Sequence, residues 1–346
     1  MKIKSSIGLN LRYNYTYNPN YTLQNVYTNT DSYQDFTSSE FVQYAQRLSD
    51  TFRFVLSGSY DRVDTIKAIK ASAPTGYTTD VWGFNLQGII FAAWNAYNTT
   101  HINIGKKSNL PSLKDRYGTP WGERIANPDL KPESAINYEI GHSFDYDATH
   151  LSAVAFFNHL SNMFVIKEGY TGCTSPSNNN RGCTKLENVD QGYSYSVELA
   201  LSQGLFDDKL TLGANYTYTD QYVDYESNGR GDRTHFNRIL YYPKHIANAQ
   251  IIFTPIQSLD FIANASYKSH SWLYSGGSYD KNNDIFLIDL KLNYRPAQNL
   301  QLSLGAYNLL DRDYYYYYSG VRTASLSTGR YYQPGRRILA GVEYRF

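Results

Sequence analysis

The carboxy-terminal stretch from Arg336 to Phe346 reads RRILAGVEYRF, and it decides the fold class. From Ile338 onward every second residue is apolar or aromatic, and the intervening positions carry Leu, Gly, Glu and Arg. Successive side chains of a β-strand point to opposite faces. The stretch therefore predicts a strand with one apolar face and one more polar face.

Three earlier segments repeat this alternation, at 210–218, 288–294 and 300–307. Leu, Ile, Ala and Tyr occupy one face of each segment, and Lys, Asp, Asn, Gln and Thr occupy most of the other. A soluble β-sandwich alternates in the same way, so the period alone does not place the sheet in a membrane. In a transmembrane barrel the polar face would line a wet or plugged lumen, and the apolar face would meet acyl chains.

The connections between the predicted strands alternate between short and long. We predict about fifteen strands, counting 22–34 and 39–49 as two strands and 259–274 as one. The tight turns are placed at 18–20, 49–50, 147–148 and 296–297, and the long loops at about 65–80, 108–133, 168–184, 225–243 and 312–335. Short periplasmic turns and long external loops are typical of outer-membrane barrels, which have even strand numbers. The odd count indicates either a piece of a longer barrel or an early strand placed wrongly.

Composition excludes several other classes. The 32 Lys and Arg against 31 Asp and Glu leave a net charge of +1, whereas a nucleic-acid-binding protein carries a basic excess. The longest strongly apolar stretch, Gly88 to Trp94, is far shorter than the roughly 18 residues that a spanning helix needs. Many aromatic residues lie near predicted strand ends, among them Tyr216, Tyr218, Tyr267, Tyr294, Tyr344 and Phe346. They fit interfacial aromatic girdles, although aromatic residues favour strands in general.

Two cysteines, Cys173 and Cys183, lie in one stretch rich in Gly, Ser and Asn. In an oxidising compartment they would close a short external loop as a disulfide. A metal pair is the alternative, but neither a His nor a second Cys pair lies close enough in sequence to complete a four-ligand site. We therefore predict a disulfide and no metal site.

The segment from Asn127 to Gly141, NPDLKPESAINYEIG, resembles a signature of TonB-dependent receptor barrels in its Asn-Pro, Lys-Pro-Glu and Tyr-Glu-x-Gly elements. The preceding stretch, GKKSNLPSLKDRY at 105–117, is similar to the residues before that signature in the same family. Asn308 to Asp311, Pro334 to Arg336 and the closing strand are similar to the family's last two strands and the loop between them.

The resemblance implies an all-β fold, an antiparallel transmembrane β-barrel of which this chain supplies about 14–15 strands out of a presumed total of about 22. Residues 1–346 are then the carboxy-terminal portion of the barrel, without the plug domain of the family. The resemblance also implies the outer membrane of a Gram-negative bacterium, with lipid and lipopolysaccharide around the barrel. Tyr344 and Phe346 look like the signal that the barrel-assembly machinery recognises.

The predicted loop 225–243 concentrates cationic side chains between aromatic residues, namely Arg230, Arg233, His235 and Arg238. Ferric siderophores are commonly anionic and aromatic, so such a patch offers charge pairing, hydrogen bonds and stacking. Solvated external loops also carry such charges without binding a ligand, and lipopolysaccharide phosphates would attract them.

Five consecutive tyrosines, at 314–318, precede the last strand. Side chains alternate in an extended chain, so Tyr314, Tyr316 and Tyr318 are the set that would line the lumen together, with Arg322 nearby. The alternative is that part of this run belongs to the interfacial girdle.

The leading functional hypothesis is an outer-membrane receptor that imports ferric siderophores or similar metal chelates. TonB would energise it, acting only through a plug that this chain does not contain. A passive porin and a non-functional truncated barrel are the alternatives. The sequence carries no nucleophile elbow, phosphate-binding loop or paired-cysteine site, so we predict neither an enzyme nor a bound cofactor.

Overall fold

In a computed structural model the chain is built almost entirely of β-strands. The structure describes residues 3–21, 27–69, 79–118, 124–173, 183–227, 232–236, 242–275, 278–318 and 330–346. In chain order the strands are β1 (Ile3–Tyr21), β2 (Tyr27–Arg47), β3 (Phe52–Ile69), β4 (Asp80–Ala93), β5 (Asn98–Asn109), β6 (Arg124–Ile125), β7 (Glu133–Tyr146), β8 (Thr149–Tyr170), β9 (Cys183–Leu205), β10 (Leu210–Ser227), β11 (Asp232–Phe236), β12 (His245–Ile256), β13 (Leu259–Lys268), β14 (Trp272–Ser275), β15 (Ser278–Lys281), β16 (Ile285–Ala297), β17 (Leu300–Tyr307), β18 (Tyr315–Tyr318), β19 (Arg330–Tyr332) and β20 (Arg337–Tyr344). One short helix, α1 (Leu113–Tyr117), lies between β5 and β6.

The main sheet has sixteen strands, of which β6 and β11 are side additions and the other fourteen form one path from β1 to β20. Each strand on this path pairs antiparallel with the next, as hairpins require. Two-residue turns at 147–148, 257–258 and 298–299 close one end, which we call the periplasmic end. The long connections lie at the other end, which we call the external end.

The predicted early strands were wrong in one place. Residues 27–34 and 39–47 of the two predicted strands belong to the single strand β2, together with the residues between them. Residues 18–20 continue β1 instead of forming a turn. Pro19 of β1 lies opposite Thr30 of β2 within their ladder. Across the described residues the main path therefore has fourteen strands, an even number, and the odd count came from dividing β2 in two.

The two faces of the sheet differ as the alternation predicts. On one face, Ile90, Ile102, Ile140 and Val197 lie in one row across β4 to β9 and are 40–54% exposed. A contiguous exposed apolar row is what a surface in contact with lipid requires. On the other face, amides pair across strands: Asn248 Nδ2 donates to Asn215 Oδ1 at 2.8 Å and Gln250 Nε2 to Asn264 Oδ1 at 2.8 Å. We call these the lipid face and the lumen face.

Aromatic side chains gather in two bands on the lipid face. Near the external end the ring contacts include Tyr60 with Trp82, Tyr138 with Phe157, Phe157 with Tyr193, and Tyr195 with Tyr218. Near the periplasmic end they include Phe52 with Trp94, Tyr97 with Tyr146, Phe253 with Phe261, and Tyr344 with Phe346. Their spacing along the strands suits the two interfaces of a bilayer.

The long connections contain secondary structure that the sequence does not reveal. The predicted loop 225–243 includes the end of β10 and the added strand β11, and the predicted strand 259–274 ends at Lys268. Beyond it, β14 pairs with β15, and β18 pairs with β19 in the connection before β20. The structure thus carries small hairpins above the membrane-spanning part of the sheet.

Candidate functional site

A polar hollow of about 640 Å³ lies on the lumen face between β2 and β8. The polar side chains that line it come mainly from alternate positions of neighbouring strands: Gln43, Ser59, Asn85, Lys107, Asn137 and Asn158. Alternation puts these residues on the lumen face, because their sequence neighbours Val42, Leu86 and Lys106 face lipid with Ile102 and Ile104. The strand register therefore brings these polar side chains together on one face, where they line the hollow.

Hydrogen bonds fix the amide groups of this hollow. Asn85 Nδ2 donates to Ser59 Oγ at 2.8 Å, and Asn85 Oδ1 accepts from the backbone N–H of Ser108 at 2.6 Å. Asn137 Nδ2 donates to Asn158 Oδ1 at 2.8 Å. Asn85 and Ser39 also donate to the Asp61 carboxylate. A wall with its polar groups already oriented loses less conformational entropy when it binds a polar ligand.

Lys107 supplies the cationic group of this wall. Its side chain is exposed, and in the described part of the chain it forms no ion pair. Lys106, the preceding residue of β5, also borders the hollow, but strand alternation directs its side chain to the lipid face. A free ammonium beside oriented amides and hydroxyls can bind an anionic, oxygen-rich molecule.

Nearer the periplasmic end, the lumen face holds a contact that explains part of the Tyr-Glu-x-Gly signature. His101 Nε2 lies 3.0 Å from Glu139 Oε1 and its ring packs against Phe91. The same ring lies over Gly141, where an added Cβ would be 2.1 Å from the imidazole Cε1. Glu139 therefore orients the histidine, and only glycine leaves room for it at 141.

The Asn-Pro-x-Leu-Lys-Pro-Glu part of the signature anchors the β5–β7 connection. Asn127 Nδ2 donates to the carbonyl of Leu186 at 2.8 Å, and Asn188 bonds both the N–H and the carbonyl of Lys131 at 2.8 and 2.9 Å. Glu133 accepts from the N–H of Phe164 at 2.7 Å and from Asn109 Nδ2 at 2.8 Å. These bonds join β5, β7, β8 and β9, so the signature has a structural role.

Arg116 anchors the same connection to β3. Its guanidinium is fully buried and donates to Thr65 Oγ1 at 2.6 Å and to Thr79 Oγ1 at 2.8 Å. Burial lowers the pKa of this guanidinium below its ordinary value. Tyr117, also fully buried, stacks on Tyr33 with ring centroids 6.3 Å apart. Helix α1 is thus held against the outer parts of β2 and β3.

Cys173 and Cys183 form a disulfide with Cα atoms 5.7 Å apart, at the external tip of the β8–β9 hairpin. Just below it, Glu187 lies 3.2 Å from Lys167 Nζ and 3.3 Å from Lys185 Nζ, and accepts a hydrogen bond from Tyr170. Burial and this bond raise the pKa of Tyr170 to about 12. Burial opposes ionisation of Glu187, but the three donors outweigh it and lower its pKa.

The carboxy-terminal motif fixes the connection before β20. Asn308 Oδ1 accepts from the N–H of Arg312 at 2.9 Å and Asn308 Nδ2 donates to its carbonyl at 2.9 Å. The N–H of Arg336 donates to Asp311 Oδ1 at 2.7 Å, and this bond lowers the pKa of Asp311. Asn308 and Asp311 both have positive φ, 49° and 53°, which Asn and Asp tolerate better than most residues.

The comparison with known families decides the identity. Residues 3–309 match the family model described as TonB dependent receptor-like, beta-barrel. The chain belongs to the TonB-dependent receptor β-barrel family. The family resides in the Gram-negative outer membrane, and its members are receptors and transporters, not enzymes.

Relatives and solved structures agree with this TonB-dependent receptor assignment. An iron-regulated outer membrane virulence protein of Vibrio cholerae is 25% identical over 287 residues, which cover 77% of this chain and 40% of that protein. The copper transporter OprC superposes with a TM-score of 0.80 at 15% identity, over 99% of this chain and 54% of that chain. The siderophore receptor PiuA from Acinetobacter baumannii gives 0.69 at 18% identity, over 91% and 44%. The chain thus spans about half or less of the length of each.

Only some of the ligand-binding residues predicted for this receptor barrel lie in the described part of the chain. Arg230, Arg238 and Arg322 lie outside the described residues. Arg233 stands opposite Glu226 and His235 opposite Asp224 in the β10–β11 ladder.

The tyrosine run lies mostly in β18, which includes Tyr316 and Tyr318. The carbonyl of Tyr314 accepts from the N–H of Gln333 at 2.8 Å. At the carboxy terminus, Tyr344 OH accepts from Asn299 Nδ2 at 2.9 Å and its ring contacts Phe346. The ligand-binding role of all these residues stays a prediction.

The sequence reasoning missed the lumen hollow of this receptor barrel. Its signal was present, since Ser57, Ser59 and Asp61 alternate on β3 and Asn85 and Gln87 on β4. The register that brings these strands side by side was not available from the pattern. In the described ranges no group of three or more His, Cys, Asp or Glu could hold a metal ion, and no helix has the length and apolarity of a membrane span.

Proposed function

We propose that this chain is the wall of an outer-membrane importer of ferric siderophores or similar metal chelates, energised by TonB through a plug domain in the lumen. Support for iron comes from the Vibrio cholerae relative, which is iron-regulated, and from the structural neighbour PiuA, which is a siderophore receptor. The copper transporter among its structural neighbours keeps other metal chelates within the proposed class.

The observation that carries the proposal is the polar lumen hollow in a chain of this family. Lys107 offers a charge-assisted hydrogen bond to a chelate carboxylate, catecholate or hydroxamate oxygen, and the oriented amides of Asn85 and Asn137 add neutral hydrogen bonds. Because the hollow lies in the external half of β5 and β7, a ligand would reach it after passing the external loops.

The external loops would make the first contact. In this proposal Arg230, Arg233, His235 and Arg238 attract the anionic chelate, while Tyr314, Tyr316, Tyr318 and Arg322 stack on it or pair with it from the connection before β20. Steering by exposed charges acts on association rate and weakens with salt. The lumen hollow would instead act mainly on the dissociation rate and so on the lifetime of the complex.

The test is uptake of radiolabelled ferric siderophore by cells producing the receptor that contains this chain, with and without TonB. We expect uptake that depends on TonB and increases under iron limitation. Uptake undiminished without TonB would contradict active transport. A panel of iron, copper, cobalamin and haem ligands identifies the chelate class, and transport of cobalamin or haem alone would overturn the assignment to metal chelates of the siderophore type.

A further inference from the structure

The lumen hollow has a carboxylate at its external rim in addition to the ammonium group of Lys107. Asp61 lies on β3 two residues nearer the external end than Ser59, so strand alternation directs both side chains to the lumen. Ser59 and Asn85, which line the hollow, both donate hydrogen bonds to the Asp61 carboxylate. The third donor is Ser39 on β2. Asp61 is thus joined directly to the wall of the hollow.

All three of these donors to Asp61 are neutral. An ionised carboxylate can accept about four hydrogen bonds, so roughly one acceptor position stays open. In the described part of the chain no Lys, Arg or His forms an ion pair with this carboxylate. The neighbouring Arg62 pairs with Asp64 and Asp80 instead, at 2.8 and 3.4 Å. The described side chains therefore solvate the charge of Asp61 without neutralising it.

Asp61 and Lys107 stand too far apart to pair with each other. Extended by one residue, the β4–β5 ladder sets Lys107 beside Asn85. Asp61 lies two strands away, and its partner Gly83 places it one lumen-facing row nearer the external end. Strand spacing and rise put the two Cα atoms roughly 12 Å apart. The wall therefore presents one positive and one negative group, with neutral polar groups between them.

We propose that the ligand of this hollow is a metal chelate that carries a cationic amine as well as anionic chelating oxygens. The inference rests on the proposed import of metal chelates and narrows the substrate class. Lys107 pairs with an anionic oxygen of the chelate, and an ammonium group of the same ligand donates to the open position of Asp61. A wholly anionic chelate gains the first contact but brings its negative charge toward Asp61.

The test compares each ligand in two forms, one with its amine free and one with the amine acetylated, which removes the positive charge. The probes are three ferric chelates, of the hydroxamate, catecholate and carboxylate types, each with one primary amine. Quenching of intrinsic fluorescence measures their binding to the receptor that contains this chain. For the chelate that binds most tightly, we expect the free amine form to bind about tenfold more tightly than the acetylated form.

Two variants assign this preference to one carboxylate. Asp61→Asn keeps the shape of the side chain and an acceptor oxygen but removes the charge, so the preference for the free amine should disappear. Glu40→Gln is the matched control, because Glu40 follows Ser39 on β2 and lies opposite Tyr60, on the lipid face. It should keep the tenfold preference. The heat-dependent gel mobility of barrels confirms that both variants are folded, and the ligand comparison on the unchanged receptor needs no variant.

Equal affinity of the unchanged receptor for the free and acetylated forms would overturn the inference and leave Asp61 to a cation of the plug. A preference that survives in folded Asp61→Asn would overturn it as well. In both cases TonB-dependent uptake of the two forms would leave the import proposal intact. Binding of none of the three chelates would overturn the import proposal and this inference together.

Discussion

The lumen hollow and an apolar groove of about 850 Å³ on the lipid face lie on opposite sides of one sheet, and adjacent residues contribute to each. Asn215 and Asn248 are polar and paired on the lumen face, while Ala214 and Ala249, one position away, form the groove floor. The two hollows differ because strand periodicity separates chemistry that is mixed in the sequence. Every second residue can therefore bind a polar ligand while its neighbours remain in hydrocarbon.

The largest expected effect comes from placing a charge on each face in turn. Leu199→Arg puts a guanidinium in the apolar band and should destabilise the folded barrel by about 2–4 kcal/mol. Ala200→Arg, the next residue on β9, faces the lumen and should cost less than about 1 kcal/mol. Urea-dependent folding into lipid vesicles measures both. Similar losses in the two variants would contradict the assignment of the faces.

Gly141 tests the packing of the lumen face. In Gly141→Ala the new Cβ meets the His101 ring, so we expect a loss of about 1–3 kcal/mol in the same folding assay. The double variant Gly141→Ala with His101→Ala should recover most of that loss. Gly88→Ala is the control, because an added Cβ there meets nothing within 4 Å. Equal losses of folding free energy in Gly88→Ala and Gly141→Ala would contradict a clash with the His101 ring as the cause.

Substitutions at Lys107 and Lys106 compare how much each face contributes to ligand affinity. Lys107→Gln removes the cation from the lumen hollow and should weaken binding of an anionic ferric chelate about tenfold, the equivalent of about 1.4 kcal/mol. Lys106→Gln, on the lipid face, should leave affinity unchanged. Titration of the receptor that contains this chain, followed by quenching of intrinsic fluorescence, gives both constants. Equal losses would indicate long-range steering instead of contact.

The smallest effect concerns the external tip of the β8–β9 hairpin. Glu187 has a lowered pKa, so its ion pairs with Lys167 and Lys185 stabilise the hairpin above the ordinary pKa of a glutamate. This contribution, about 0.5–1 kcal/mol, is lost as pH falls through the lowered value. Reduction of the Cys173–Cys183 disulfide by a phosphine should accelerate about two- to fivefold in this range. In Glu187→Gln that pH dependence should disappear, and its persistence would assign it to another group.

The sequence predicted the membrane-spanning part of the sheet well, because one face there must be apolar and the period is visible. It failed in β2, where residues 35–38 were read as a break between two strands. The external part of a barrel strand needs no lipid-facing residue, so the alternation fades while the hydrogen-bonded ladder with β1 and β3 continues. The same fading of the alternation explains why β11 was not predicted within the loop 225–243.

The binding surfaces were less accessible to prediction. Arg233 and His235 were chosen for their charge, but the pattern does not show the β10–β11 ladder that sets them opposite Glu226 and Asp224. Lys107 was passed over, since nothing in the sequence distinguishes it from Lys106 until the faces are assigned. Register, and not composition, decides which cation can meet a ligand.

The most direct test of the assigned faces is a nitroxide scan along residues 212–218 of the full chain in lipid vesicles. A label at each position reports collisions with oxygen, which dissolves in lipid, and with a water-soluble nickel chelate. We expect a period of two, with oxygen favoured at Leu212, Ala214 and Tyr216 and the nickel chelate at Gly213, Asn215 and Thr217. The absence of alternation, or alternation in the opposite phase, would contradict it.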